Sequence, residues 1–454
     1  MKGQLLSANE IDYKSNMRIL KLLLIPLLVL ILNCQSFPQE ILSLEDAIKI
    51  SMANNYSINI ARNESKIAEN NSTIGNAGFL PSVDATGSYV KSSNDTKQEY
   101  FDGRTVDQKG AQSTNIAAGV NLDWTIFDGF GMFANIDMLK ELNKIGKDNF
   151  KAEIETNLAG VIETYYNLIA EQQVLDVLKQ AIVISKERVR IAESKKDVGS
   201  GSKFDLRQAQ VDLNEDRSNL LKEQLAFEQL KVTLNQLMGR DVSSEFNVSD
   251  TILVKKDIDL DDLKAKTLEQ NTTLQIAKKN LSLSEINLRL ARAELYPEIS
   301  LVGGYNYTKS ESEAGFVQSN KNYSLSYGVS ASLNLFNGFN TRIKIENAEI
   351  GIENGQLNFN QIKANIEANL LNIYKKYLSS LELVELEEEN LKIAQESVDI
   401  ALEKLKLGNI TPLEFRETQR KLIDAKSRLV SAQYDAKSAE TELLKISGQL
   451  IKNK

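Results

Sequence analysis

Histidine is absent from all 454 residues. That removes the commonest general acid–base side chain and the commonest metal ligand. A zinc or copper site and a Ser-His-Asp mechanism therefore have nothing to stand on. Cysteine occurs once, as Cys34, so neither an internal disulfide nor a CxxC motif can form. With 6 methionines beside the missing histidines, a dedicated soft-metal lining is disfavoured, although metal export as such stays open. Only 5 prolines interrupt the chain, which leaves room for very long helices. The 54 Lys and Arg are outnumbered by 62 Asp and Glu, giving a formal charge of −8. No basic stretch is interleaved with aromatics, so a nucleic-acid partner is not expected. No catalytic constellation is left, and neither an enzyme nor a cofactor is expected.

The chain is long enough for a sizeable core or several ordinary domains. Near its start, Arg18 and Lys21 precede an apolar run from Leu22 to Leu32, broken only by Pro26. A positive segment, a short apolar stretch and then polar residues read as a secretory signal. The apolar run is about a dozen residues, short of the roughly 20 that a membrane-spanning helix needs. Two processing modes stay open. Cys34-Gln35-Ser36 resembles a small-x-small cleavage site, and Ile31-Leu32-Asn33-Cys34 is a loose lipobox with Cys34 as the lipidated thiol. Met17 is an alternative start. Under any of these readings the protein is expected to leave the cytoplasm.

The phrase "TIFDGFG" at Thr125–Gly131 returns as "NLFNGFN" at Asn334–Asn340, with Phe127 and Phe336 standing 209 positions apart (336 − 127). The same offset pairs Tyr165 with Tyr374, Gly199 with Gly408, Arg207 with Arg416, Gln210 with Gln419 and Gly239 with Gly448. Upstream the offset is 216 (297 − 81), seen in Pro81 and Pro297 and in "LEDAIKISMANN" against "LDDLKAKTLEQN". The change of 7 residues falls between Pro81 and Phe127 and is expected in a surface loop, which tolerates length changes. The repeat is too long for a solenoid, whose periods are roughly 20–50 residues. This divides the chain into a signal segment over 1–36 with cleavage near Cys34 or Ser36, a first repeat over 40–240, a linker over 241–259 and a second repeat over 260–454.

Each copy reads as helix, strand pair, very long helix, tight turn and long helix. Apolar residues recur at threes and fours in Ile366, Leu370, Ile373, Tyr377, Leu381 and Val384. A heptad seam follows in Phe415, Leu422, Ala425, Leu429, Ala432, Ala436, Ala439, Leu443 and Ile446, with a counterpart running from Leu206 and Ala209 to Leu234 and Leu237. Sustained heptads argue for coiled-coil packing. No proline interrupts residues 340–407, a rod on the order of 100 Å at the helical rise. The acidic run Glu385, Glu387, Glu388 and Glu389 reads as a solvated helix face.

Between the helices the period changes to two. Ile116, Val120, Leu122 and Trp124 alternate with Ala117, Gly119, Asn121 and Asp123; Tyr323, Leu325, Tyr327 and Val329 alternate with Ser324, Ser326 and Gly328. Two further strands follow Pro81 and Pro297. Small uncharged residues opposite an aromatic, apolar face match an outer-membrane barrel with a wet lumen, whereas a half-buried soluble sheet usually exposes Lys, Glu and Arg. Asp128 and Asn337 are expected to cap the long helices, with Gly129 and Gly338 permitting the turn. Pro81 and Pro297 are expected to close the incoming helix and start the strand. A sheet in lipid must close on itself, and one chain offers four strands where known barrels have eight or more. Several copies sharing one barrel follow from counting.

The tandem repeat, the proline joints, "FDGF"/"FNGF" and the hairpin turns "DVGSGSKFDLRQAQ" and "KLGNITPLEFRETQ" together resemble the TolC-type outer membrane efflux proteins over nearly all of the chain beyond its N-terminal segment. The resemblance implies a mainly α fold: tandem long helical hairpins forming a tunnel, plus four strands contributed to a shared trimeric β-barrel. It implies a homotrimer in outer-membrane lipid with its helices in the periplasm. Such a trimer is the passive exit duct of a tripartite efflux or type I secretion system, docked to a periplasmic adaptor and driven by an inner-membrane pump. Gly199 and Gly408 correspond to turn glycines at the tips that adaptors touch. Glu414 and Glu417 correspond to pore-facing carboxylates ringing the closed entrance, and Asp205 to a latch position. Their alternative is a solvated surface, with Glu417 paired to Arg416, Arg420 or Lys421. Ile410 departs from the family, which commonly has arginine there, so the latch is expected to be built differently. A lipid-anchored periplasmic coiled-coil scaffold without a pore is the competing reading. The cargo is not legible.

Overall fold

The computed structural model describes residues 40–248 and 251–451. The signal segment, with Cys34, lies outside the described residues. The first copy runs β1 (Glu40–Ile41), α1 (Leu44–Asn54), α2 (Tyr56–Asn71), β2 (Ser82–Glu99), β3 (Thr105–Asp128), α3 (Gly131–Asp197) and α4 (Lys203–Met238). The second runs β4 (Phe246–Asn247), α5 (Leu260–Gln270), α6 (Thr272–Ala293), β5 (Glu298–Ser312), β6 (Ser319–Ser332), α7 (Asn340–Leu407) and α8 (Pro412–Ile446). Among the described residues no helix is long and apolar enough to cross a membrane.

The two offsets seen in the sequence recur in the hydrogen bonds. Ser43 caps α1 and Asp259 caps α5, each through its side chain. Asn55 and Asn271 cap α2 and α6, accepting from Ile58 N at 3.1 Å and Leu274 N at 2.9 Å. Their amides donate to the carbonyls of Leu237 and Ile446, at 2.9 and 2.8 Å, tying the short helices to the ends of α4 and α8. Gly239 and Gly448 follow those ends at φ 66° in both copies. There an added Cβ would lie 2.6 Å from the carbonyl oxygens of Asn54 and Gln270, so both the conformation and the space require glycine.

The helices α3 and α7 have 67 and 68 residues, each about 100 Å long at the α-helical rise. In the half nearer the sheet the packing order is α2, α3, α6, α7; in the other half it is α4, α3, α8, α7. The heptad residues Phe415, Ala425, Leu429, Ala432, Ala436, Ala439 and Leu443 are all buried, as are Leu206, Ala209, Leu213 and Leu234. Two apolar cores lie where the halves meet. One gathers Leu42, Tyr165, Leu168, Met238 and Phe246, the other Leu263, Leu370, Tyr377, Ala439 and Leu443. The acidic run on α7 divides. Glu385, Glu388 and Glu389 are exposed, but Glu387 is 8% exposed and accepts from Arg428 Nε at 2.9 Å, so it turns inward to a cation on α8.

The four long strands form one antiparallel sheet in the order β2-β3-β5-β6, with β2 and β6 at its edges, while β1 and β4 pair separately in parallel. Register aligns the faces predicted from alternation. Val120, Tyr305 and Leu325 share one row, and Asn121, Gly304 and Ser326 share a row on the other face. The apolar face lies open: Tyr323, Leu325, Tyr327 and Val329 are all exposed. The seven extra residues of the first copy lengthen strands rather than a loop. β2 and β3 span 18 and 24 residues against 15 and 14 in β5 and β6, while the turns cover 100–104 and 313–318.

Two local expectations are corrected. Neither long helix is capped in the manner foreseen for Asp128: α3 and α7 start after Phe130 and Phe339, which take left-handed conformations at φ 71° and 64° with no side-chain cap bond. Stacking of these rings edge-on against Phe127 and Phe336 accompanies that conformation. Asn337 does reach Thr341 N, at 3.4 Å, and Gly129 and Gly338 have the positive φ expected. Pro81 and Pro297 start their strands, but α2 ends at Asn71, ten residues before Pro81. The intervening turn, not the proline, stops that helix.

Candidate functional site at the hairpin tips

Each long hairpin reverses at a glycine with positive φ, Gly199 at 76° and Gly408 at 79°. An added Cβ at either would meet nothing within 4 Å, so the backbone conformation alone selects glycine and the surface around it stays free. The outgoing helices are capped differently. Ser202 accepts from Phe204 N at 2.9 Å. Thr411 accepts from Glu414 N at 3.2 Å while Glu414 Oε2 accepts from Thr411 N at 2.7 Å, a reciprocal capping box with Pro412 at the first turn. Thr411's backbone N–H, then its hydroxyl, hold the Glu414 carboxyl below the usual range.

The structure therefore gives Glu414 a local role as a cap, on an exposed side of α8 that it shares with Glu417. Arg416, considered as a partner for Glu417, turns to the opposite side. Asp205 lies partly buried beside a cavity of ≈ 40 Å³ lined also by Arg188, Lys195, Leu405 and Pro412, between the two tips. Ile410 packs beside Ala401, Leu405 and Phe415.

What the sequence reading missed is a buried cluster of charges just above the tips. Arg188 on α3 is 4% exposed, Asp212 and Asp216 on α4 are 6% and 3%, and Arg416 on α8 is 9%. Arg188 Nη1 lies 3.0 Å from Asp212 Oδ2. Arg416 grips Asp216 with both terminal nitrogens, at 3.0 and 2.8 Å, and reaches Glu215 at 3.2 Å. Ser185 donates to Asp216 Oδ2 and accepts from Gln419 Nε2 at 3.0 Å, and the same amide donates to the Ala181 carbonyl at 3.1 Å. Burial drives the Arg188 guanidinium below its usual range against the pull of Asp212. For Arg416, burial acts the same way but is outweighed by the bonds and charge of Asp216, Asp212 and Glu215, which raise it. Removing one partner from such a buried pair costs about 3–5 kcal/mol, because the other is left desolvated and alone. The signal lay in the pattern: Asp212 and Asp216 fall on the same helical face as Ala209, Leu213 and Leu220, polar residues on a buried stripe.

The family model for outer membrane efflux proteins matches residues 47–240 and 263–449. The outer membrane efflux protein BepC of Brucella suis biovar 1 (strain 1330) is 20% identical over 416 residues, covering 90% of this chain and 86% of the relative. The outer membrane protein TolC of Vibrio cholerae serotype O1 is 19% identical over 333 residues, covering 72% and 76%. Among solved structures, the CmeC outer membrane channel of Campylobacter jejuni shares the fold at a TM-score of 0.76 and 16% identity, over 92% and 93% of the two chains. These likenesses support a channel and not a pore-less scaffold. With both of its repeats matched, the chain belongs to the outer membrane efflux protein family.

Proposed function

We propose that three copies of the chain close into a single duct, the sheets into one twelve-stranded barrel and the helices into one tunnel. The protein is an outer-membrane efflux channel with its helical part in the periplasm. Cargo leaves through it passively, while an inner-membrane pump, joined through a periplasmic adaptor at the Gly199 and Gly408 tips, supplies the energy. Rings of Glu414 and Glu417, with Asp205 beside them, line the closed entrance in this reading.

The observation that carries the closed assembly is the pair of unfinished flanks on each protomer. Among the described residues the edge strands β2 and β6 have no further strand partner, which in hydrocarbon costs several kcal/mol per orphan group. The edge helices are unfinished in the same way. On α7, Ile343, Ile350 and Leu357 and then Leu386, Ile393, Ile400 and Leu407 are exposed at steps of seven; on α4 so are Phe204, Val211, Leu225 and Val232, and on α2 Ile60 and Ile67. Exposed heptad stripes on opposite flanks suit a partner carrying the complementary flank, and a second copy carries it. The detergent-extracted protein should run near three chain masses of 50.7 kDa before processing and form pores in planar bilayers. A pore-less monomer would sink this reading.

A further inference from the structure

The apolar face of the sheet changes character at one height. Reading away from the helices, from the row of Leu122 and Tyr327 to the row of Tyr307 and Tyr323, it carries no charge. The next row sets Lys309 and Lys321 beside Tyr89 and Ile116, and the row beyond it holds Lys91 and Glu311. On the polar face at the height of the first lysines stand Ser88, Ala117, Thr308 and Asn322, all uncharged. The lysines therefore belong to the apolar side of the sheet alone, and to its end away from the helices.

Lys309 and Lys321 are direct cross-strand partners, and like charges so placed destabilise the pairing. Glu311 answers only one of them, at 2.6 Å from Lys309 Nζ. Lys91 and Lys321 are exposed and form no ion pair among the described residues. The other nearby carboxylate, Glu313, is engaged by the Gln112 N–H at 2.9 Å. An anion resting on these lysines would relieve the repulsion. Just below them lie Tyr89, Tyr307 and Tyr323, the last two with ring centroids 4.9 Å apart. Aromatic residues of this kind mark the level where a bilayer's apolar core gives way to headgroups. Trp124, eight residues from Ile116 and about 27 Å along β3, supplies the aromatic at the helical end. Lysine stems lie along apolar surface while their ammonium groups reach headgroup level. Beside Lys91 a recess of ≈ 350 Å³ is lined by Gln112, Thr114 and Ser319, amide and hydroxyl groups that suit the hydroxyls of a sugar.

We propose that Lys91, Lys309 and Lys321 form a binding belt for a phosphate-bearing glycolipid of the outward-facing leaflet, an inference that rests on the barrel reading above. Phosphate lies on the ammonium groups, the sugar fills the recess beside Lys91, and the acyl chains run down over Val120, Tyr305 and Leu325. With the helices in the periplasm, the strand ends that carry the belt stand in the outer leaflet. Closing the sheets sets each β6 edge beside a neighbouring β2 edge, so the belt continues across the junctions between copies. An anionic lipid without a sugar would meet the charge but leave the recess unused.

The purified full-length trimer is tested by native mass spectrometry in detergent with three added lipids. These are a bisphosphorylated, acylated glucosamine disaccharide, the same glycolipid without its phosphates, and phosphatidylglycerol. The wild type should retain the phosphorylated glycolipid in preference to the other two. Each of Lys91→Gln, Lys309→Gln and Lys321→Gln should weaken that retention roughly five-fold, and the triple variant should lose the preference. The phosphorylated glycolipid should also raise the melting temperature of the wild type and leave that of the triple variant unchanged. If the triple variant fails to assemble, Lys321→Gln carries the test, because it breaks no ion pair and without lipid should melt no lower than wild type. Equal retention of the phosphorylated and dephosphorylated forms overturns the proposal, as do variants that bind like wild type. Phosphatidylglycerol held as tightly as the phosphorylated glycolipid also overturns it, reducing the belt to a contact with any anionic lipid. A wild-type protein that forms no trimer and needs no detergent overturns the barrel reading itself, an outcome separate from the others.

Discussion

Tyr165 donates its phenolic hydroxyl to the carbonyl of Leu42 at 3.0 Å, tying the middle of α3 to the segment entering α1. Tyr374, 209 residues on, donates to the carbonyl of Ile258 at 3.1 Å, and Ile258 lies 216 residues beyond Leu42. Each repeat therefore closes its core with the same bond between a long helix and its own leading segment. Tyr165→Phe and Tyr374→Phe should each cost roughly 1–3 kcal/mol by leaving a carbonyl unpaired. The two costs should add, since the cores share no partner. Denaturant melting of the single and double variants checks this; a double variant no weaker than the worse single would refute two independent closures.

Beside Tyr374, Tyr377 is fully buried and donates to the carbonyl of Lys255. Burial, then the charge of Glu440, pushes its pKa up to about 12, against roughly 10 for an unperturbed tyrosine. A raised pKa means that the folded protein holds the proton more tightly. The stabilisation is whole below pH about 10 and is lost as pH climbs toward 12. Tyr377→Phe should flatten the fall in stability across that alkaline window, as read by melting temperature against pH. An unchanged slope would show that Tyr377 does not titrate with unfolding.

The carboxylates near the second tip can be separated by their bonds. Glu414 both caps α8 and, in the proposed trimer, contributes charge to the entrance; Glu417 lies exposed on the same side. Glu414→Gln keeps the capping box, because glutamine serves at that position too, and removes only the charge. Glu414→Ala removes both. The double variant Glu414→Ala, Glu417→Ala should raise single-channel conductance or antibiotic leakage, with Glu414→Gln giving the electrostatic share alone. Wild-type leakage from an assembled double variant would take both residues out of the gate.

How far all this was legible depends on whether a residue obeyed the periodicity of its element. The heptads of α4 and α8, the strand faces and the repeat itself followed from spacing, since burial of one face imposes the period. The cluster of Arg188, Asp212, Asp216 and Arg416 did not, because charges on a buried stripe break the binary pattern and are recognised only once their partners on another helix are known. Glu387 was misread for the same reason: its cation, Arg428, lies on α8. The left-handed Phe130 and Phe339 leave no mark in the sequence, because a bulky residue at positive φ is uncommon and the neighbouring glycines already permit the turn.

The polar face of the sheet carries its charges at one end. Paired residues share a face, which puts Asp84, Asp123, Asp128 and Glu298 on the side of Asn121, Asn306 and Ser324, all near the helical end of the strands. Among the described residues of that face, from Ser82 to Ser92 and across its partners, no Lys or Arg occurs. Three copies would place an acidic collar at the inner mouth of a barrel whose polar face is otherwise uncharged over that stretch, where it attracts cations. The pore should therefore pass potassium in preference to chloride, and Asp84→Asn with Asp123→Asn should move the reversal potential in a salt gradient toward zero. A pore that favours chloride, or a double variant with the wild-type potential, would place these carboxylates off the conduction path.

The exposed heptads on α4 and α7 predict a register as well as an interface. Within a protomer α4 leaves the tip and α7 arrives at it, so α4 of one copy and α7 of the next run antiparallel. Starting from the tip, Phe204 then meets Leu407, Val211 meets Ile400 and Leu225 meets Leu386. Paired cysteines at Phe204 and Leu407, or at Val211 and Ile400, should oxidise into a covalent trimer on denaturing gels. Cysteines at Phe204 and Ile393 are two heptads out of step, about 20 Å along the axis, beyond the reach of a disulfide. Single variants, whose only other thiol is Cys34, give the background. Cross-linking of the displaced pair, or none at the aligned pairs in an assembled trimer, would show that these stripes face something other than a neighbouring copy.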